Sequence, residues 1–557
     1  MPLKEKIKNT VLRNTGYTLS DFEAMKSKVY EIKNIDKAVA IIRDAIAKKM
    51  PITVVGDYDA DGICGTAIFK IALRKLGVIP TTRLPRRFSE GYGLSEKIVD
   101  EISEGLLITV DNGIAASSAI KKAKEKGLTV LITDHHLAPV DGIPVDADLI
   151  IDPNAIPNSA TFNGYCGAGL AYKICKELVP ADENRFLTLA TIATIADSVP
   201  LIEDNRVLVQ KGLEEILMQP STTVGIQALL KVTGLQYNIT EKDIGFKLGP
   251  CLNAPGRLMD DGAEKSLELL SFIGNFDFAE KKAVKLLEFN EERKVLTESA
   301  VETFETLIEN NCLFADDVLV LQSNDVGEGL VGLCAGKLAE EYKRPCLVFG
   351  PFENGVCKGS GRTYGGVHLK DMLDKAKAQL PENAIVKYGG HSAAVGISVR
   401  EEFFDDFISC VNSLGIEIEE VEDTADIEIF ENQITEAIEE LKPYAPFGEG
   451  NPQIKFKIKN YKTMPVRDKM FAILKEKHLK FCGNCSEALW FGAVQKYEDM
   501  GNPSMFDIIG TIGENFFNGK ITPSIEIISI EPIRTKFTTS PFAKKLEFEA
   551  NKKMKGV

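Results

Sequence analysis

Tryptophan occurs once, at Trp490, and histidine only five times in 557 residues. That scarcity makes an adjacent pair, His135-His136, informative. Cysteine is present but unorganised. Eleven residues are scattered without a framework spacing, which argues against a disulfide-stapled secreted domain and for a reducing, cytoplasmic setting. Only Cys482 and Cys485 stand in a CxxC spacing, and the missing second pair argues against a zinc ribbon. No uninterrupted apolar run is long enough to cross a bilayer and the N-terminus is not signal-like, so no membrane role is expected. Positive charge is in short supply: 66 Lys and Arg stand against 81 Asp and Glu, a net charge of −15. This excludes a generally basic nucleic-acid coat and leaves room for a local basic groove.

What is present reads as a soluble globular chain long enough for three or four domains, each with its own core. Residues 1–45 read as a helical extension with a turn near Lys33-Asn34, amphipathic through Ala38, Ile41, Ile42 and Ala45. From Ile52 to about Asn154, apolar runs (Ile52–Val55, Leu106–Val110, Val130–Thr133, Leu149–Ile151) alternate with helical segments such as Thr66–Leu76 and Ala115–Lys126. Strand–helix alternation of this kind predicts an α/β unit with a parallel sheet covered on both faces. Ligands of such sheets bind beyond the carboxyl ends of the strands.

Those ends carry metal-binding side chains. The first delivers Asp57, Asp59 and Asp61, which would share one direction if the chain stays extended. Alone, the string also fits an Asp-rich surface turn. It does not fit a calcium loop, because Gly62 follows the third Asp at once and no Glu closes the loop. Later runs deliver Asp111-Asn112-Gly113 and Asp134-His135-His136, and Asp197 ends the apolar helical run Leu187–Ala196. Repeated carboxylate and imidazole clusters at successive strand ends suit Mn²⁺ or Mg²⁺ better than a thiolate-loving metal. Two such ions roughly 3.5–4 Å apart would clamp an in-line attack on phosphorus.

The series Asp57-Tyr58-Asp59-Ala60-Asp61-Gly62, Asp111-Asn112-Gly113, Asp134-His135-His136 and Ile195-Ala196-Asp197-Ser198-Val199-Pro200-Leu201 resembles the motifs of the DHH phosphoesterase superfamily. Pro85–Leu94, with Arg86-Arg87-Phe88-Ser89-Glu90-Gly91-Tyr92-Gly93 between, resembles a segment of its RecJ branch, as does Leu252-Asn253-Ala254-Pro255-Gly256-Arg257. Ser360-Gly361-Arg362-Thr363 and Gly389-Gly390-His391-Ser392-Ala393-Ala394-Val395-Gly396 resemble the two signatures of the DHH-associated domain. Pro446–Pro452 resembles the approach to that branch's OB domain. The resemblance covers about residues 10 to 535. It implies a parallel-sheet DHH domain (46–265), a long connecting helix (266–312) and a smaller α/β DHH-associated domain (313–415). A β-barrel OB domain (416–535) would come after these, and by its lysines the stretch 536–557 reads as a basic tail.

The resemblance also implies roles. Asp57, Asp59, Asp61, Asp111, His135 and Asp197 would hold two divalent ions, with Asp111 the bridge. His136 would sit beside the scissile phosphate, and Asp134 would orient a neighbour by hydrogen bonding. Arg87, Arg257, Ser360 and Arg362 would gather a 5′-terminal phosphate through charge-assisted bonds. Gly389, Gly390 and His391 would approach the strand. By residue type alone, Arg87 is equally a surface arginine, Ser360-Gly361-Arg362 a turn, and His391 a core histidine. One departure stands out. The associated domain of this branch usually opens with a Trp-His pair, whereas the corresponding segment here is Ser323–Leu330.

Asp277 to Ile308 reads as one charged helix, and a second α/β unit starts at Val318–Leu321. Residues 453–480 are locally basic, and Lys455, Lys457 and Lys459 alternate with Phe456 and Ile458 as on a half-buried strand. In a barrel such a strand offers a groove for single-stranded nucleic acid, or is merely a solvated face. The implied activity is metal-dependent 5′-to-3′ hydrolysis of single-stranded DNA, by a monomer, with a helicase and a single-strand-binding protein as candidate partners. A hydrolase of nucleotides or short RNA would need neither the long helix nor the OB domain. A dead scaffold would not keep the full set of carboxylates and histidines.

Overall fold

The computed structural model describes residues 1–533 apart from 140–141, 219–222, 236, 238, 421, 466–470 and 518–519. Arg467, Asp468 and Lys469 of the basic stretch, and the tail 536–557, lie outside the described residues. The chain forms two compact units. One is Ser20–Val421 with Pro446–Pro452; the other is Met1–Leu19, Glu422–Ala445 and Gln453–Val557.

The first unit opens with a sheet of β1 (Ile52–Val55), β2 (Thr81–Arg83), β3 (Leu106–Val110), β4 (Thr129–Thr133) and β5 (Leu149–Ile151). Its order is β2-β1-β3-β4-β5 and every pairing is parallel. The runs are apolar and rich in branched side chains because both faces are buried. Helices Ala60–Lys75, Gly167–Leu178 and Glu183–Ala196 share one core with Val54, Ile108 and Leu131; Ile98, Ile120, Val130 and Ile132 fill the other. Each fully buried Leu or Ile here is worth about 1.5–3 kcal/mol. The three central strands therefore aim their carboxyl ends, and the loops attached to them, at one edge. β2 is too short to leave a periodic signal in the sequence.

The helix Phe276–Asn310, capped by the Asn275 side chain on the Asp277 amide, runs 35 residues, about 50 Å. Its first half buries Ala279, Ala283 and Leu286 in the first core. Its second half buries Ala300, Phe304 and Ile308 against the helix Glu328–Tyr342. A second sheet of β6 (Leu319–Gln322), β7 (Cys346–Glu353), β8 (Val356–Arg362), β9 (Ile385–Gly390) and β10 (Ala394–Arg400) comes next, in order β6-β7-β8-β10-β9.

The other unit carries a seven-stranded sheet. Its strand Phe456–Lys462 lies between Ile427–Phe430, parallel, and Met505–Phe517, antiparallel. The helix Leu3–Thr15 buries Leu3, Ile7 and Val11 in this unit, and Lys4 pairs with Glu440 at 3.3 Å. The N-terminal helices thus divide between the units, since Ile35–Ala47 packs in the first. No helix among the described residues is long and apolar enough to cross a membrane.

Candidate active site

The chain does not stay extended after β1. Asp59 caps the helix Ala60–Lys75, its Oδ1 accepting from the amides of Asp61 at 3.0 Å and Gly62 at 3.2 Å, so Asp61 lies in the first helical turn. The period-two argument for the three aspartates therefore fails: the cap turns the chain. The turn requires Gly62, where a Cβ would lie 2.4 Å from the Asp57 amide nitrogen. Asp61 is fixed by the amides of Gly167 at 2.6 Å and Ala168 at 2.7 Å.

Asp111 directly follows β3 in the left-handed region, φ 61°, a conformation Asp tolerates better than most residues. His135 Nε2 lies 3.1 Å from Asp111 Oδ1, 3.6 Å from Asp61 Oδ2 and 3.6 Å from Asp197 Oδ2. Asp197 is the C-cap of Glu183–Ala196. Three groups of possible ligand atoms, each within 4.8 Å of one another, converge here: Asp57, Asp59 and Asp111; Asp61, His135 and Asp197; Asp111, His135 and His136.

The electrostatics of this cluster call for a cation. Burial, reinforced by the charges of neighbouring aspartates, pushes Asp57, Asp111 and Asp197 well above the usual carboxyl range. Asp57 Oδ1 and Asp111 Oδ1 are buried without a hydrogen-bond partner. Burial lowers the His135 pKa, leaving a neutral ring with a nitrogen to offer. Carboxylates with orphaned oxygens around a neutral imidazole fit Mn²⁺ or Mg²⁺.

Asp134 plays a different part. Its Oδ2 accepts from the Ile114 amide at 2.9 Å, and its Oδ1 from the His135 amide at 2.8 Å and from His136 Nδ1 at 2.7 Å. Burial works against charge on both partners. On His136 the bond to Asp134 outweighs it, and the pKa rises to about 9. On Asp134 the same bond brings the net shift below the usual carboxyl value.

Beside this cluster stands a group of arginines. The Arg87 guanidinium stacks over Tyr58, 4.2 Å from the ring centre, and its Nε is buried without a partner. Arg362 donates to Ser360 Oγ at 2.9 Å, and Arg257 only to the Gly329 carbonyl at 3.4 Å. Burial, then the like charges of Arg87 and Arg293, pushes Arg257 down to about 9. Burial also lowers Arg293 and Arg362. None of the four has a carboxylate ion pair among the described residues. Asp59 and Arg257 feel each other's charge, as do Arg87 and Asp57, so the two clusters adjoin. Gly389, Gly390 and His391 are exposed where β9 turns into β10, so His391 is no core histidine.

The sequence matches the DHH family N-terminal domain over residues 51–196, the DHHA1 domain over 315–414 and the RecJ OB domain over 425–529. The single-stranded-DNA-specific exonuclease RecJ of Haemophilus influenzae is 33% identical over 450 residues, 76% of this chain and 77% of that protein. The chain belongs to the RecJ family. RecJ of Bacillus subtilis is 31% identical over 89% of this chain, which spans 63% of that relative's length. The crystal structure of RecJ in complex with Mn²⁺ from Thermus thermophilus matches with a TM-score of 0.74 at 25% identity, over 96% of this chain and 79% of that one. The architecture expected from the sequence holds: a parallel-sheet DHH domain, a long helix, a smaller α/β DHH-associated domain and an OB domain of RecJ type.

Three residues that adjoin this candidate site were not singled out in sequence reasoning. Arg293, inside a helix full of charges, gave no signal of its own. Tyr92 donates to the Asp111 carbonyl at 3.0 Å and reaches the His136 ring at 3.1 Å. Asn154 donates Nδ2 to the His135 carbonyl at 2.6 Å. The sequence motifs contain Tyr92, but only the fold brings it to the histidine.

Proposed function

We propose that this protein is a metal-dependent 5′-to-3′ exonuclease that hydrolyses phosphodiester bonds of single-stranded DNA, acting in DNA repair and recombination. The observation that carries the reading is the adjacency of an uncompensated carboxylate cluster and an arginine cluster without carboxylate partners. The first suits divalent cations and the second suits a phosphate. Release of a 5′-terminal nucleotide from single strands, and not from duplex, is its test.

Asp57, Asp59, Asp61, Asp111, His135 and Asp197 would hold two divalent ions in this reading. Asp111, common to two of the three groups and 3.1 Å from His135 Nε2, would be the carboxylate placed to serve both. When bound, the ions supply Lewis acidity toward the phosphate and lower the pKa of the attacking water. His136, protonated near neutral pH through Asp134, offers a charged donor to a phosphate oxygen. Arg87, Arg257, Arg293, Arg362 and Ser360 gather the 5′-terminal phosphate and so set the polarity. Gly389, Gly390 and His391 line the path of the strand. The protein acts as a monomer in the cytoplasm, where its eleven free cysteines stay reduced, with strand supplied by a helicase or a single-strand-binding protein.

Metal binding should be legible in stability. The raised pKa values of Asp57, Asp111 and Asp197 mean that the metal-free fold binds protons the unfolded chain releases near 3.8. That contribution is present at acid pH and is lost as pH rises through the raised values. Thermal unfolding in a chelator should therefore show declining stability from acid toward pH 8. Mn²⁺ at a hundredfold excess over its Kd should restore about 2.7 kcal/mol at pH 7.5, and less at pH 5, where protons compete. A Tm at pH 7.5 indifferent to Mn²⁺ would contradict the ligand assignment.

The basic strand of the OB domain is more compensated than its sequence implies. Lys457 pairs with Glu531 at 2.6 Å, and Lys459 pairs with Asp507. Lys455 has no ion pair among the described residues. We expect replacement of Lys455, Lys457 and Lys459 by alanine to weaken oligonucleotide binding several-fold and to reduce the salt slope by about one to two. Fluorescence anisotropy across a salt series measures both. An unchanged slope would make this strand a solvated face.

A further inference from the structure

Pro446–Pro452 belongs with the first compact unit, while Ala445 and Gln453 on either side of it belong to the other. The segment is a closed turn. Gly448 and Asn451 exchange backbone hydrogen bonds of 2.9 and 3.1 Å, and the buried Asn451 donates Nδ2 to the Pro446 carbonyl at 2.7 Å. It is anchored at two points. The Leu201 amide donates to the Glu449 carbonyl at 2.8 Å, and the Phe447 amide donates to Glu241 Oε1 at 3.1 Å. The contact is close: a Cβ on Gly448 would lie 2.8 Å from Leu201 Cδ1, and one on Gly450 would lie 3.4 Å from both Pro200 and Ile202. From within the DHH domain, Asn205 Nδ2 donates to the Pro200 carbonyl at 3.0 Å. The backbone so clamped is the turn that comes after Asp197, which begins with Ser198 at φ 57°.

We propose that Pro446–Pro452 is a strap that positions Asp197 for the metal site, with Glu241 and Asn451 as positioning residues. The inference rests on the assignment of Asp197 as a ligand. In the absence of a cation, Asp61 and Asp59 repel the Asp197 carboxylate. It stands on the cap of a helix rather than inside a strand, so the turn behind it must be held from outside. The strap does this without touching the reacting atoms, through the Leu201 amide and the packing on Pro200 and Ile202. The same short segment leads directly back into the unit that carries the OB domain, at Gln453.

The test uses the full chain. Mn²⁺ binding, followed by electron paramagnetic resonance, should weaken about tenfold or more in Glu241→Ala and Asn451→Ala, as for other groups that orient a ligand. Glu241→Gln, whose amide oxygen still accepts from Phe447, should keep the parent's affinity. Oligonucleotide affinity in a chelator should change less than about twofold in all three. Asp197→Ala run alongside tests the ligand assignment separately: unchanged Mn²⁺ affinity there overturns the site, not the strap alone. If Asp197→Ala weakens Mn²⁺ while folded Glu241→Ala and Asn451→Ala do not, the strap proposal fails. Loss of Tm, DNA affinity and Mn²⁺ affinity together also counts against it, since general unfolding gives that pattern. Should the buried Asn451 not tolerate alanine, Glu241→Ala against Glu241→Gln decides.

Discussion

Asp111→Ala should lower hydrolysis of single-stranded DNA by at least about a thousandfold, a loss of roughly 4 kcal/mol of transition-state stabilisation. The reason is position. Asp111 leaves β3 in a left-handed turn, at the point where two of the three ligand groups overlap. Removing it takes a carboxylate from both groups at once and leaves His135 Nε2 without its nearest oxygen, at 3.1 Å. The fold should survive, because alanine keeps the buried Cβ that packs against Gly167 and the Asp111 Oδ1 has no hydrogen bond to lose. Oligonucleotide binding should persist in large part, since the OB domain and the arginines are untouched. Activity within about tenfold of the parent in added Mn²⁺ would remove Asp111 from the centre of the account.

Arg362→Ala should weaken turnover of 5′-phosphorylated strands by about ten- to a hundredfold, the worth of a charged hydrogen bond at about 1.5–3 kcal/mol. Strands with a 5′-hydroxyl should lose much less. Arg362 is half-buried, its charge unmatched by any carboxylate among the described residues, and its Nη1 is already directed at Ser360 Oγ. Arg257 feels the like charges of Arg87, Arg293 and Arg362, which a dianionic phosphate would relieve. Arg257→Ala should behave alike, and Arg293→Ala in the same direction but more weakly, because Arg293 also donates to Asn290 at 2.7 Å. Equal losses on both kinds of 5′ end would make these residues trackers of the backbone rather than readers of the terminus.

The first sheet was legible because a parallel sheet buried on both faces leaves continuous apolar runs, and the polar residues Asp111, Asp134 and His135 come directly after those runs. Their convergence at one edge of the sheet could therefore be anticipated from the sequence. Asp59 and Asp61 were grouped with them for a partly mistaken reason. The chain bends at the Asp59 cap, and a cap is a local competition between side chain and backbone that alternation does not register. Arg293 was hidden by its neighbours: Glu291, Glu292 and Lys294 make its stretch read as a solvated face. The basic strand misled in the other direction. Lysine spacing reports one strand, whereas Asp507 and Glu531, which offset the charge, come from strands that only the sheet brings alongside. The Pro446–Pro452 turn was visible as a motif, but its hold on Leu201 joins residues far apart in the chain, and no local pattern encodes such a contact.

The most direct test follows one oligonucleotide labelled differently at its two ends, incubated with the protein and Mn²⁺ as a single strand, as a blunt duplex and as the RNA of the same sequence. The account requires that the 5′ label leave first, in small products, while the 3′ label stays on long fragments. The duplex should resist, and a chelator should stop the reaction. Loss of the 3′ label first, comparable attack on the duplex, or degradation that continues in chelator would contradict it.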